Sequence, residues 1–219
     1  MDFSEVRWEE IGTASIETLQ ILGAAGLFTV ILGLPLGVIL FMTGRSVSVQ
    51  SQVIYTILSV IVNILRSVPF IILIVALIPF TRTLVGTATG VLGVIPPLVI
   101  SAAPYFARLV ENTLREVDRG VIEAAQAMGA STGQIVRRVL LPEALPGLLA
   151  GITITIVTLV SYTAMAGMVG GGGLGTLAIN YGYFRYQNEI MIISVVSMII
   201  LVQVLQMIGD RLVIYFTRK

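Results

Sequence analysis

Long stretches without a charged side chain alternate with short polar breaks along this chain: Thr18 to Gly44, Ser46 to Thr81 broken only by Arg66, Thr83 to Ala107, Ala144 to Phe184, and Ile190 to Gly209. About 20 apolar residues rising roughly 1.5 Å each cross the ~30 Å hydrocarbon layer, so each stretch is long enough to span a bilayer as a helix. The pattern predicts an all-α, polytopic transmembrane bundle.

Two stretches exceed one crossing. In Ala144 to Phe184, the glycines Gly170 to Gly173 end a span of roughly Leu145 to Met168, and Leu174 to Phe184 follows as an exposed or re-entrant piece. In Ser46 to Thr81, Arg66, Ser67 and Pro69 admit a hairpin of two short helices. The uncharged piece after Arg66 is too short to cross comfortably, so a single tilted helix over about Gln52 to Ile78, bent at Pro69, is expected. This gives five spans.

With the N-terminus outside, Arg45, Arg108, Arg115, Arg119, Arg137, Arg138, Arg211, Arg218 and Lys219 lie on the cytoplasmic side, and only Arg7, Arg82 and Arg185 outside. The positive-inside rule then predicts N-out and C-in. A six-span, N-in arrangement satisfies the charges equally well, and span length is what favours five. Residues 1–17 are expected to form an extracytoplasmic segment and 18–219 the membrane domain, with a cytoplasmic loop over 108–143. The acidic N-terminus lacks the basic lead of a cleavable signal, so the first span is expected to be retained. Trp8, Tyr181, Tyr183 and Tyr186 suit either headgroup-level anchoring or ordinary packing.

Composition narrows the chemistry. The chain is 56% hydrophobic and 11% charged, with a formal net charge of +1 and neither Cys nor His. There is no basic field for nucleic acid, no thiolate, and no usual zinc ligand. No GxxxxGK[ST] loop is present, so no P-loop cradles ATP. Gly170, Gly172 and Gly175 fit GxGxxG, but after a membrane span and without a preceding strand this does not predict dinucleotide binding. A flexible outer loop is the expectation. The proposed spans contain no Asp, Glu, Lys or His, which argues against a carrier driven by its own intramembrane carboxylates. Arg66 is the lone charge within them. It either lines a pathway or clamps an inner contact, or it snorkels or binds carbonyls freed by Pro69. Tyr162 and Met165 in the fourth span are candidates either for narrowing a pathway or for packing.

The charged middle segment, Arg108 to Glu143, contains a short run of helix formers ending at Gly129, where a left-handed C′ residue is expected. Ser131 and Gln134 have capping-box spacing and open a second helical stretch containing Ile135, Val136 and Val139. The alanine-rich helix offers a small-residue surface with Glu123 as its charge.

Glu123-Ala124-Ala125, Gly129 and Leu141-Pro142 together resemble the EAA loop of ABC importer permeases, Val139 standing where that family most often has Ile. Asn63 to Arg82, Ala102 to Val117, Val169 to Gly175 and Asn180 to Gln187 are similar to segments of the methionine-uptake branch, and more weakly to permeases for polar amino acids, osmoprotectants and phosphonates. The resemblance implies a type I importer permease fold in a bacterial inner membrane and no enzymatic activity in the chain itself. It also implies that Glu123, Ala124, Ala125, Met128, Gly129, Leu141 and Pro142 couple to a separate ATPase. The implied partners are a second copy of the chain, two ATPase subunits that bind the ATP and Mg, and an extracytoplasmic methionine-binding protein.

Overall fold

A computed structural model describes residues 8–46 and 48–217, which are helical throughout apart from short turns. Helix α1 runs Trp8–Arg45, α2 Val49–Ser67, α3 Phe70–Ala76, α4 Ile78–Val85 and α5 Gly90–Glu116. Beyond a turn come α6, Arg119–Ala127, and α7, Thr132–Ile135, which passes through a π-helical turn, Val136–Leu140, into α8, Leu141–Glu143. The chain then forms α9, Leu145–Ala166, α10, Gly173–Leu177, a second π-helical turn, Ala178–Tyr183, and α11, Asn188–Thr217. Among the described residues, α1, α2, α5, α9 with its 3₁₀ extension to Val169, and α11 are long and apolar enough to span a membrane.

The centre of the bundle is α1 packed along α5. Gly33 and Gly37, one turn apart on α1, face Ala103 and Ala107 of α5. A Cβ on Gly37 would stand 2.6 Å from the Ala107 carbonyl oxygen, and one on Gly33 2.9 Å from that of Ala103. Small residues four apart let two backbones touch, which matters in lipid because no hydrophobic force drives helices together there. Phe106, Leu98 and Leu114 of α5 and Ile21, Leu40 and Phe41 of α1 fill the remaining seam, each 1% exposed or less.

Trp8–Glu17, within the expected extracytoplasmic segment, form the first turns of α1, and residues 1–7 of that segment lie outside the described residues. Three expectations are corrected. The single helix over Gln52–Ile78 is interrupted. Pro69 has no N–H to continue the ladder, and Val68 before it is extended at φ −80°, ψ 124°. A second interruption at Leu77 places Pro79 in the first turn of α4. The third span starts at Gly90 and continues as helix to Glu116, so 108–116 is not loop.

The glycine loop, finally, is tied down. The Gly173 N–H donates to Glu17 Oε2 at 2.7 Å and the Leu174 N–H to Thr18 Oγ1 at 2.9 Å, while the Gly90 N–H donates to the Gly170 carbonyl at 2.8 Å. Gly170, Gly172 and Gly173 have φ of 75°, 83° and 69°, a region in which only glycine is unstrained. The segment that follows is re-entrant and packed: Leu174, Leu177, Ile11, Ala14 and Ile190 share one apolar cluster.

Candidate functional site

Helix α6 is built by local rules. Asp118 caps it, its carboxylate accepting the Gly120 N–H at 2.6 Å, and places a negative charge at the helix N-terminus. At the other end Gly129 is left-handed, φ 78°. Its N–H donates to the Gln126 carbonyl at 2.9 Å, and that of Ala130 to the Ala125 carbonyl at 3.1 Å, a Schellman closure. The expected capping box follows, with the Ser131 N–H donating to Gln134 Oε1 at 2.8 Å and the Gln134 N–H to Ser131 Oγ at 3.4 Å. Removing a side-chain cap costs about 1 kcal/mol. Ser131→Ala is therefore expected to speed amide exchange over residues 132–135 about fivefold, read by hydrogen-exchange mass spectrometry, with α9 unchanged.

The helix has two faces. Ile122 and Ala125, three apart, are 5% and 4% exposed and join a cluster with Phe41, Leu114, Val117, Ile135, Leu140 and Leu148. Glu123, Ala124, Ala127 and Gly129 lie on the open side, as does Met128, which is 82% exposed. The EAA residues thus divide: Ala125 is a bundle anchor, while Glu123, Ala124, Met128 and Gly129 face outward. Pro142 is exposed and Leu141 half-buried one short segment later, beyond the exposed Arg137 and Arg138.

Of the three pathway candidates, Arg66 lies in the last turn of α2, its guanidinium carbon 5.7 Å from the centre of the Tyr105 ring on α5. It is exposed. Tyr162 stacks on Phe70, ring centres 4.6 Å apart and planes 3° from parallel, which joins α9 to the first turn of α3. Met165 is 44% exposed on α9. Tyr162 therefore has Phe70 as its partner, and Arg66 has Tyr105.

Sequence reasoning missed Glu111. It is 1% exposed in α5 and holds Arg108 at 2.5 Å and Arg115 at 2.7 Å. Its spacings of three and four from two arginines are those of helical ion pairs, the one signal that marked it. Placing the third span's end at Ala107 hid it.

Five helices long and apolar enough to cross a membrane thus carry, at one end, a short helix with one buried and one exposed face. The pattern of the binding-protein-dependent transport system inner membrane component family matches residues 33–219, and the chain belongs to that family. It is 53% identical over 201 residues to the probable D-methionine transport system permease protein of Vibrio cholerae, covering 92% of this chain and 89% of the relative. It is also 44% identical over 208 residues to the methionine import system permease protein of Bacillus subtilis, covering 95% and 94%. A solved inward-facing structure of the MetNI methionine ABC transporter superposes with TM-score 0.92 at 47% identity, covering 99% of both chains. An amino acid ABC transporter solved with histidines superposes at TM-score 0.80 and 20% identity, covering 100% of this chain and 99% of that one, a likeness of fold.

Proposed function

We propose that this chain is the permease subunit of an ATP-driven importer that moves methionine, of L or D configuration, across a bacterial inner membrane. The observation that carries the reading is α6, a short helix held to the bundle by Ile122 and Ala125 while Glu123, Ala124 and Met128 remain outside for a partner. The identity of 44–53% to methionine permeases over more than nine-tenths of the chain supports the substrate.

In this reading two copies of the chain pair around a central pathway, and two ATPase subunits dock on the α6 helices at the cytoplasmic face. A methionine-binding protein delivers substrate at the opposite, α10 face. ATP and Mg belong to the ATPase, and the permease carries out no covalent chemistry. Glu123, Ala124, Met128, Gly129, Leu141 and Pro142 form the docking surface, braced by Ala125. Arg66, Tyr162 and Met165 line or narrow the pathway. The N-terminus lies outside and the C-terminus inside. ATP-driven closure of the motor switches the spans between inward-open and outward-open states.

Reconstitution with the ATPase and the binding protein tests this directly. Labelled methionine is expected to accumulate in the vesicles only when all three components and ATP are present. Solute flux through the permease alone would overturn the reading. Stimulation of hydrolysis by another polar amino acid, an osmoprotectant or a phosphonate, and not by methionine, would keep the class and replace the substrate.

A further inference from the structure

Helix α2 is weakly rooted by apolar contact: among its 19 residues only Val62 is buried. What ties it to the bundle is a ladder of polar groups. Tyr55, Ser59 and Asn63, each four residues apart, form one stripe of α2, and Arg115, Glu111 and Arg108 form the facing stripe of α5, running the other way. Tyr55 donates its hydroxyl proton to Glu111 Oε1 at 3.2 Å, and Arg115 Nη2 donates to the same oxygen at 2.7 Å. Arg108 Nη1 donates to Glu111 Oε2 at 2.5 Å. Arg108 Nη2 reaches the Ser59 hydroxyl, the Ser59 carbonyl at 3.3 Å and Asn63 Oδ1 at 3.2 Å. Arg66 over Tyr105 is the last rung.

The ladder lies between the two functional regions. Below it, α5 ends at Glu116, and only Val117 and Asp118 separate it from α6. Above it, α2 ends at Ser67, and Val68 and Pro69 separate it from Phe70, which stacks on Tyr162. The buried Glu111 carboxylate fixes the two α5 guanidiniums beside it, and removing it leaves two neighbouring cations without compensation. Proline in the Val68–Pro69 link restricts the backbone angle between α2 and α3, with Pro69 at φ −57°.

We propose that Glu111 is a positioning residue for transport. Its carboxylate accepts from Tyr55 and holds Arg108 in reach of Ser59 and Asn63, which ties α2 to α5, so that a displacement of α6 carries α2 and the Phe70–Tyr162 stack with it as one body. The inference rests on the proposed role of α6 as the motor's docking helix, and it names the element through which that docking reaches the pathway.

In the complete complex, Glu111→Gln is expected to leave ATP hydrolysis within about twofold while substrate moved per ATP falls about fivefold or more. Glu111→Gln with Arg108→Gln returns the trio to its original net charge. It is expected to recover thermal stability but not coupling, since Ser59 and Asn63 have lost the arginine they bind. Recovery of both would reduce Glu111 to a charge neutraliser and overturn the inference, as would an unchanged transport ratio in the single variant. Should Glu111→Gln fail to accumulate, Ser59→Ala with Asn63→Ala removes the two α2 side chains that Arg108 reaches and leaves Arg108 paired with Glu111. The same loss of coupling is expected there.

Because the chain has no cysteine, spin labels attach cleanly through Gln52→Cys on α2 and Gln126→Cys on α6. Their separation is expected to keep a narrow distribution through the ATP cycle in the wild type and to broaden in Glu111→Gln; equal widths would count against the tie of α2 to α5. A wild-type complex that hydrolyses ATP without accumulating methionine would sink the proposed function instead, and the label distances would still decide the ladder.

Discussion

Gly37→Leu is expected to lower the melting temperature of the purified protein by about 6–12 °C and to cut sharply the amount recovered from membranes. The Cβ alone would stand 2.6 Å from the Ala107 carbonyl oxygen and 2.5 Å from Val110 Cβ, and neither neighbour is the free end of a flexible chain. Overpacking costs up to about 3 kcal/mol even where side chains can adjust, and each kcal/mol shifts a chain of this size by about 2–4 °C. The damage falls on the α1–α5 seam, against which α9 also packs through Phe106 near Gly151. Gly23→Leu is the control: a Cβ there meets nothing within 4 Å, and a helix gains about 1 kcal/mol when glycine leaves its interior. The two variants carry the same change in composition and helix propensity. Equal melting temperatures would therefore show that the close α1–α5 contact does not hold the bundle together.

Met128→Asp is expected to have its effect elsewhere. Met128 is 82% exposed at the C-cap of α6, so the isolated permease should keep its melting temperature within about 1 °C, as surface substitutions usually do. In the assembled transporter the same position becomes buried if α6 docks. A carboxylate then replaces an adaptable apolar side chain in the contact. A loss of 2 kcal/mol or more, the usual size for an interface hot spot, corresponds to roughly a thirtyfold weaker association with the ATPase. Titration of detergent-solubilised permease with the ATPase reads this directly, and methionine uptake should fall in step at limiting ATPase. Glu123→Lys, on the same open face, is expected to act in the same direction by reversing the charge presented to the partner. If both variants bind and transport as the wild type does, α6 is not the docking helix.

Several features of this protein were legible before any coordinates. The long uncharged stretches gave the five spans, because crossing a hydrocarbon layer is a length requirement that one segment meets by itself. The Ser131–Gln134 box and the left-handed Gly129 were equally readable. Helix ends are satisfied by residues within three or four positions of the chain, so spacing suffices to find them. The interruption at Pro69 was half visible: a bend was expected there, but the extension of Val68 into a break required knowing that α3 packs inward through Phe70, Leu73 and Ile74.

What only the tertiary structure decided is which side of each local feature faces inward and what meets it. Ala124 and Ala125 are neighbours of the same type, yet one faces out and the other is sealed against the bundle. Glu17 and Thr18 close the glycine loop from 156 residues away, and a run of glycines reads as freedom until that partner is known. Glu111 was expected in a loop and is buried in α5, because how far a helix continues and what covers it are set by its neighbours and not by its own charges. The physical division is one of range: segment length and capping depend on the nearby chain, whereas packing, pairing and burial depend on groups that sequence distance does not bring together.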